Sequence, residues 1–289
     1  MNSNKPLVIY HSKCPDGFTA AWVFHHLFGQ NVEFFAAVYN KPVPDIAKGR
    51  SVVYLVDFSY KLDGMLQLIA DNDKVVLLDH HATALENLAS LFENPPANFE
   101  NRCDLNRSGA TLAWDYLFPH MDRPHLLNHV EDRDLWRFKL DQTRNFHQYL
   151  QSVEMTFESW DAIMLAPFAD SVKFFAQGEA LLRKYNKDIA DLASRPRFRS
   201  LFGYDNIPVV NCPGFYASDV GDKLYTDNPQ APFSMTFSLG SELVHFSLRS
   251  RGDTGIDVSK LAKIMGGGGH EHAAGFTLPY GELAAKLFM

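Results

Sequence analysis

Residues Val75 to Thr83 read VVLLDHHAT. The four apolar residues at the start, two of them β-branched, predict a strand buried on both faces, as in a parallel sheet covered by helices. The apolar run then gives way to Asp79, His80 and His81. Ligands of open α/β sheets bind beyond the carboxyl ends of the strands, so these polar side chains are candidates for a functional site. Taken alone, the stretch fits equally well an aspartate that caps the next helix beside two surface histidines.

The chain before this strand alternates between strands and helices. Short apolar strands are predicted at residues 7–10, 32–38 and 51–56, with helices at about 18–28 and 61–71. Such alternation implies right-handed crossovers and an α/β fold with a doubly wound, mostly parallel sheet. Further helices are predicted directly after Ser108, which we expect to be a cap, and at residues 124–131.

A second, smaller α/β unit is predicted towards the end of the chain. Strands are expected at 207–211, 233–239 and 243–249, and helices at about 218–225 and 258–265. The stretch before them is helical and charged. We therefore predict a first domain over residues 1–192, with 157–192 as a helical connector, and a second domain over 193–289.

Composition excludes several classes of protein. A formal charge of −7 over 289 residues argues against wrapping a long nucleic acid, although a short anion held by metal ions is compatible with it. Three widely spaced cysteines form no disulfide framework, which fits a reducing cytoplasm. The start of the chain lacks the apolar core of a signal peptide, and no stretch approaches a membrane span. We expect a cytoplasmic protein.

Acids and imidazoles follow the predicted strands at the same end. Three strands lead into His11, Asp57 and Asp79, and parallel strands bring these ends to one edge. Carboxylates gathered without Lys or Arg repel one another, which raises their pKa values. A bound cation offsets this repulsion. Mixed carboxylate and imidazole ligands suit Mn²⁺, Fe²⁺ or Zn²⁺, and carboxylates with water suit Mg²⁺. Asp132 and Asp134 follow a predicted helix and could complete the site.

The motifs HSKCPDGFTAA, LVDFS, LLDHHAT and a later acidic motif, in this order, resemble the DHH phosphoesterase superfamily. Its members include RecJ-type exonucleases, the oligoribonucleases called nano-RNases, cyclic-dinucleotide phosphodiesterases and exopolyphosphatases. The stretch SLRSRGDTGIDVSKLAKIMGGGGHEHAAGF resembles the DHH-associated domain that binds substrate in many of them. The resemblance covers roughly residues 7–136 and 205–280, and it implies a catalytic first domain and a substrate-binding second domain.

The resemblance also implies roles for individual residues. It implies the following metal ligands: His11, Asp16, Asp57, His80 and Asp132. Asp57 would bridge two ions, for which Mn²⁺ is our first expectation and Mg²⁺, Fe²⁺ or Zn²⁺ are the alternatives. The catalytic residues that it implies are Asp57, Asp79, His80 and His81. Among these, Asp79 would orient an imidazole. Asp134 is the alternative to Asp132 as the last ligand, and the sequence does not separate them.

One position departs from the pattern of the superfamily. Many relatives carry an aspartate two positions before the Asp-Gly pair, where this chain has Cys14. A thiolate ligand would favour zinc or iron over magnesium. The other interpretation, which we favour, is that Cys14 binds no ion, so that one ion is bound weakly or only with substrate.

A glycine run in the second domain is a candidate phosphate site. The run from Gly266 to Gly269 predicts a flexible turn whose N–H groups form an anion nest, and the alternative is a helix C-cap. Arg249, at the end of a predicted strand, could bind phosphate oxygens in a fork. The substrate-binding candidates are Arg249, Ser250, Gly268, Gly269 and His270.

The sequence therefore predicts a metal-dependent phosphoesterase. It would hydrolyse phosphodiester bonds of short oligonucleotides or related nucleotides with a metal-activated water, in a cleft between two domains. A cyclic-dinucleotide phosphodiesterase or an exopolyphosphatase is the enzymatic alternative. A nucleotide-binding regulatory module with incomplete metal loading is the alternative from another class. We expect a short phosphorylated substrate as the partner, neither long duplex nucleic acid nor a membrane, and we leave a homodimer open.

Overall fold

A computed structural model describes residues 5–252 and 256–282. The chain divides into two compact units, Met1–Leu182 and Arg183–Met289. This division lies inside a long helix, whereas the predicted domain boundary lies at the end of that helix and stays a prediction. Over the part of the chain that the structure describes, no helix has the length and the apolar character that crossing a bilayer requires.

The amino-terminal unit is built on a parallel sheet. Its strands are β1 (Leu7–His11), β2 (Glu33–Ala37), β3 (Val53–Val56), β4 (Val75–Asp79) and β5 (Phe99–Cys103). Their order in the sheet is β2-β1-β3-β4-β5, and each neighbouring pair is parallel. All of β4 is buried, as its apolar run predicts. The predicted parallel α/β sheet is confirmed.

Helices cover both faces of this sheet. They are α1 (Pro15–Phe28), α2 (Leu62–Asp71), α3 (Ala82–Asn87), α4 (Ala89–Glu93), α5 (Gly109–Leu117), α6 (His125–Asp134), α7 (Thr143–Gln151), α8 (Phe157–Met164) and α9 (Ser171–Ala193). Strand side chains alternate between two cores because successive residues of a strand point to opposite faces. Val8 and Val56 pack with α1 and α5, whereas Ile9 and Leu55 pack with α2. The sheet is therefore doubly wound.

The second unit contains a mixed sheet with two helices in the described part. Its elements after α9 are β6 (Arg197–Leu201), β7 (Tyr204–Asn211), α10 (Ala217–Asp227), β8 (Ser234–Leu239), β9 (Leu243–Arg249), α11 (Val258–Ile264), β10 (Gly268–His270) and β11 (Ala273–Pro279). The strand order is β10-β11-β9-β8-β7-β6, with β7 and β8 parallel and the other neighbours antiparallel. The predicted smaller α/β unit is confirmed as a fold class.

Several of these elements are absent from the sequence prediction. Strands β5 (FENRC) and β6 (RFRSL) lie at sheet edges, where polar residues replace the apolar run that marks a central strand. Strand β10 consists of two glycines and a histidine, a composition that predicts no strand. The helix predicted at 124–131 extends to Asp134, so Asp132 and Asp134 lie within the helix and not after it.

Candidate active site

The candidate site lies at the carboxyl edge of the parallel sheet. β1 and β3 are neighbours, although β2 comes between them in the chain, so the topological switch point lies between these two strands. His11 is the last residue of β1, and Asp57 directly follows β3. Asp79 ends β4, and His80 and His81 come next. The sheet therefore brings the predicted strand-end residues to one crevice.

His80 is surrounded by carboxylates. Its Nε2 lies 3.1 Å from Oδ1 of Asp57, 3.4 Å from Oδ2 of Asp134 and 3.9 Å from Oδ2 of Asp16. On the other side of Asp57, Oδ2 lies 3.5 Å from Nδ1 of His11. The Asp16, Asp57 and His80 side chains are buried. Asp57 thus presents one carboxylate oxygen to each of two imidazoles.

The cluster has the donor set of a two-ion site. Among the described residues of the amino-terminal unit, two groups of three bring their ligand atoms within 4.8 Å of one another, and Asp57 is common to both. These groups are Asp16, Asp57 and His80, and His11, Asp57 and His81. The buried side-chain atoms that find no hydrogen-bond partner within residues 5–252 and 256–282 include His11 Nδ1, Asp57 Oδ2 and Asp134 Oδ2. Buried polar atoms are normally paired, so these donor atoms fit divalent cations.

The first turn of α5 holds Asp16 in place. Its carboxylate accepts hydrogen bonds from the backbone N–H groups of Gly109 (2.6 Å) and Ala110 (3.1 Å). A helix amino terminus favours a negative charge, because its first N–H groups have no partner within the helix. Ser108 caps this helix, as predicted, and forms a capping box with Thr111. Glu131 supports the turn by accepting from the Ser108 N–H at 3.1 Å.

Two glycines let these elements approach one another. A Cβ at Gly109 would lie 2.5 Å from Cβ of Asp57, and one at Gly17 would lie 2.6 Å from the carbonyl oxygen of His11. Either approach is too close for a real side chain. Asp57 itself has φ of 54°, a left-handed conformation that non-glycine residues rarely adopt. Strained backbone of this kind clusters at active sites, where the surrounding structure holds it.

The carboxylates titrate differently from one another. Burial, followed by the charges of Asp134 and Asp57, holds the pKa of Asp16 well above its usual range. The pKa of Asp134 is also raised, by burial and against the attraction of His80. Burial would raise the pKa of Asp57 too, but its contacts with His11 and His80 outweigh burial and lower it. The carboxylate of Asp57 is therefore the one in this cluster that is most readily ionised.

The His80 imidazole binds a proton more tightly than a free imidazole does. Burial opposes the charged form of His80, but the neighbouring Asp134 and Asp57 raise its pKa well above the usual value. Without ions the cluster therefore balances its charges with protons. Metal binding would displace these protons, since ligands bind in their deprotonated forms.

Asp79 orients His81, as one of the sequence interpretations expected. Its Oδ1 lies 2.7 Å from Nδ1 of His81 and also accepts from the backbone N–H of His80 at 2.8 Å. An ionised carboxylate only accepts hydrogen bonds, so this contact fixes the proton on Nδ1 and leaves Nε2 of His81 as the donor atom for an ion.

The structure gives Asp132, the predicted last ligand, and its alternative Asp134 different surroundings. The Asp132 carboxylate accepts hydrogen bonds from the N–H groups of Lys139 (2.8 Å) and Leu140 (3.1 Å) and from the hydroxyl of Thr143 (2.7 Å). It builds the connection from α6 to α7 and, like Asp134, lies outside the two ligand groups of this unit. Residues two positions apart on a helix point in nearly opposite directions, so Asp134 faces His80 instead.

Some contributors to the site were not predicted. Gly17 and Gly109 act through tertiary contacts that a single sequence does not show. The ring of Tyr39 lies 5.1 Å from that of His11, and Tyr39 follows β2, so the strand-end rule could have found it.

Cys14 directly precedes α1 beside the cluster, but neither ligand group of the amino-terminal unit contains it. Burial, then Asp57, raises the pKa of its thiol.

In the second unit, Arg249 and His270 lie in one row across the sheet. Both are in register with Ala273, Arg249 from β9 and His270 from β10. Side chains of directly paired residues share a face, and the small Ala273 leaves space between the two bases. The Arg249 guanidinium donates to the Ser247 hydroxyl at 2.8 Å, which orients it. The Ser250 hydroxyl donates to the backbone carbonyl of Ile256 at 2.7 Å.

The glycine run is not the flexible turn that we predicted. Gly266 has φ of 79°, and its N–H bonds to the carbonyl of Lys263, so it ends α11. The following Gly268 and Gly269 belong to the edge strand β10. A Cβ at Gly267 would lie 2.1 Å from the carbonyl oxygen of Gly275, so close packing against β11 requires glycine there. The alternative prediction, a helix C-cap, is correct for the first half of the run.

Comparisons with known proteins find relatives along most of the chain. An uncharacterized protein of Acanthamoeba polyphaga mimivirus is 28% identical over 291 residues, covering 94% of this chain and 67% of that protein. Oligoribonuclease NrnB of Bacillus subtilis is 28% identical over 222 residues, covering 71% of this chain and 53% of that protein. The chain thus spans about half the length of this second relative. No family model matches it.

Two solved structures share the fold. The DHH domain of a protein from a ribosomal protein family has a TM-score of 0.57 at 12% identity, covering 97% of this chain and 84% of that one. Exonuclease RecJ bound to manganese has a TM-score of 0.53 at 14% identity, covering 98% and 88%. This chain therefore has the α/β fold of these two proteins, which is the fold that the motif resemblance implies.

Proposed function

We propose that this protein is a metal-dependent phosphoesterase that hydrolyses phosphodiester bonds of short oligonucleotides or related nucleotides. The observation that carries the proposal is the pair of ligand groups that share Asp57 at the switch point of the sheet. A relative named as an oligoribonuclease and a RecJ exonuclease of the same fold support it.

The proposed ligands follow from the geometry. Asp57 would be a ligand of both ions, together with His11 and His81 for one ion and with Asp16, His80 and Asp134 for the second. Mn²⁺ is the proposed ion, because imidazole and carboxylate donors together suit it and because the RecJ structure of the same fold holds manganese. When bound, such ions would lower the pKa of a coordinated water to near 7 and offset the negative charge on the phosphoryl group.

The side chains around the ligands position them. Asp79 holds His81 in the tautomer with the proton on Nδ1, and the first turn of α5 holds Asp16. In the hydrolysis itself, a water oxygen bonds to phosphorus, the bond from phosphorus to the leaving sugar oxygen breaks, and that oxygen gains a proton. The second unit contributes the proposed substrate-binding residues Arg249, Ser250, Gly268, Gly269 and His270.

A substrate panel with Mn²⁺ tests the proposal. The panel contains dinucleotides, longer oligonucleotides, cyclic dinucleotides, nucleoside 3′,5′-bisphosphate and polyphosphate. We expect the fastest turnover on the shortest linear oligonucleotides, with mononucleotide products and no turnover in a chelator. Asp57→Asn and His80→Ala should abolish it. The exposed Asp45→Asn and His120→Ala are matched controls that should retain it.

Two results would contradict the proposal. Turnover that persists in both Asp57→Asn and His80→Ala would remove the assigned site. Tight nucleotide binding by the metal-saturated protein without turnover of any compound in the panel would favour a binding module over an enzyme.

A further inference from the structure

The carboxylate of Glu131 lies mostly inside the amino-terminal unit and is outside the proposed ligand set. Glu131 belongs to α6, and its side chain is only 13% exposed. One oxygen, Oε2, accepts hydrogen bonds from the Arg107 guanidinium at 2.9 Å, from the Ser108 N–H at 3.1 Å and from the Thr111 hydroxyl. Burying a charge is costly unless it is paired and hydrogen-bonded, and this carboxylate is both. Glu131 therefore ties α6 firmly to the start of α5.

The turn that Glu131 holds is the turn that holds Asp16. Ser108 caps α5, and the next two N–H groups, of Gly109 and Ala110, donate to the Asp16 carboxylate at 2.6 and 3.1 Å. A shift of this turn moves both donors, because they belong to consecutive backbone units directly after the capping residue. The orientation of the Asp16 carboxylate therefore depends on Glu131 through the backbone of the turn.

The helix that carries Glu131 also carries Asp134. The two residues are three apart in α6, and residues with this spacing lie on the same side of a helix. Oδ2 of Asp134 lies 3.4 Å from Nε2 of His80, and the same nitrogen lies 3.9 Å from Oδ2 of Asp16. One side of α6 thus acts on these three ligands twice, directly through Asp134 and through the α5 turn that holds Asp16.

Other parts of the fold hold the His11 and His81 side chains. His11 ends β1, and Asp79, at the end of β4, lies 2.7 Å from Nδ1 of His81. Loss of the Glu131 contacts should therefore affect one of the two proposed ions more than the other.

We infer that Glu131 is a positioning residue for the ion proposed at Asp16, His80 and Asp134, and that it acts through Asp16. The inference rests on the proposed function, because it concerns the proposed metal ligands. Hydrogen bonds to an ionised acceptor are roughly twice as strong as neutral ones. An uncharged side chain of the same shape would hold the turn less firmly, and Asp16 would spend less time in the orientation that binds the ion.

Calorimetric titration of the wild type and of Glu131→Gln with Mn²⁺ tests the inference. The affinity for one ion should fall by about tenfold, the lower end of the range for indirect partners of metal ligands. In an Asp16→Asn background, which retains the other proposed ion, Glu131→Gln should cause no further loss, because changes that act through one group do not add. A residue that supports only the fold would lower the affinity in both backgrounds.

Two further comparisons control the test. Asp115→Asn removes a carboxylate that lies 2.8 Å from the same Arg107 guanidinium but near the other end of α5, so it should leave the Mn²⁺ affinity unchanged. Thr111→Val removes the hydroxyl that donates to Glu131 and should weaken Mn²⁺ binding. Thr111→Ser keeps the hydroxyl and should restore binding, so this pair decides the matter if Glu131→Gln does not fold.

Two kinds of failure are distinguishable. Unchanged Mn²⁺ affinity in folded Glu131→Gln and Thr111→Val, or an equal loss in the Asp16→Asn background, overturns the role of Glu131 and leaves the proposed function intact. A wild type that binds no Mn²⁺, or that fails to hydrolyse the generic diester bis(4-nitrophenyl) phosphate with Mn²⁺, would instead overturn the proposed function.

Discussion

The aspartates at the end of α6 offer a sharp test, because they are two residues apart and have different tasks. The Asp132 carboxylate accepts three hydrogen bonds, from Lys139, Leu140 and Thr143. Asp132→Asn replaces one acceptor oxygen with a donor and leaves at least one of these groups without a partner. A donor left unsatisfied in this way costs about 1–3 kcal/mol. The melting temperature should fall by roughly 2–4 °C for each kcal/mol lost in a unit of this size.

Asp134→Asn should behave in the opposite way. Oδ2 of Asp134 is buried and makes no hydrogen bond to any described residue, and its charge raises the pKa of Asp16. Removing that charge relieves repulsion in the metal-free cluster, so the metal-free variant should melt no lower than the wild type. Its Mn²⁺ affinity should fall by about tenfold or more, because even indirect partners of metal ligands are worth roughly 10–100-fold.

Two measurements on each variant separate these outcomes. Thermal unfolding in a chelator reports the stability of the metal-free protein, and calorimetry with Mn²⁺ reports affinity. Asp45→Asn, an exposed aspartate, is the control for both. The reasoning is wrong if Asp132→Asn loses Mn²⁺ binding at unchanged stability, or if Asp134→Asn binds Mn²⁺ as tightly as the wild type.

Three further outcomes are expected. Gly109→Ala should weaken Mn²⁺ binding in a calorimetric titration, because the new Cβ would displace Asp57; unchanged affinity would show that the close approach is unimportant. Cys14→Ser should leave the metal content measured by atomic emission unchanged, and a lost ion would make the thiol a ligand. The pKa values of Asp16 and Asp134 are higher in the folded than in the unfolded state. Their contribution to the free energy of unfolding is therefore complete below about pH 4, and it is lost as the pH rises through the raised, folded-state pKa values. Melting of the metal-free protein should therefore fall with rising pH in that window, and Mn²⁺ should reverse the trend; a flat profile would contradict the shifts.

The sequence predicts the sheet and most of the strand-end residues for a physical reason. A central parallel strand needs an apolar run, and the residue that ends the run marks the functional edge. His11, Asp57 and Asp79 are visible on these grounds alone. The edge strand β5 carries the polar sequence FENRC, which has no such run, so this reasoning does not reveal it.

The remaining features depend on tertiary contacts or on where an element ends. The choice of Asp134 depends on α6 extending three residues beyond the predicted Glu131, which turns one aspartate to the cluster and the other to the loop. Gly17 and Gly109 matter because of what lies across from them in space. The glycine run combines a helix cap and an edge strand. A run of four glycines is equally compatible with an anion-binding turn, so the composition alone does not distinguish these structures.

Anomalous diffraction from crystals soaked in Mn²⁺ tests the central claim most directly. The account predicts two anomalous peaks beside Asp57, one also within coordination distance of His11 and the other of His80 and Asp134. Crystals saturated with Mn²⁺ that show no peak at Asp57, or peaks only elsewhere on the chain, would contradict the account.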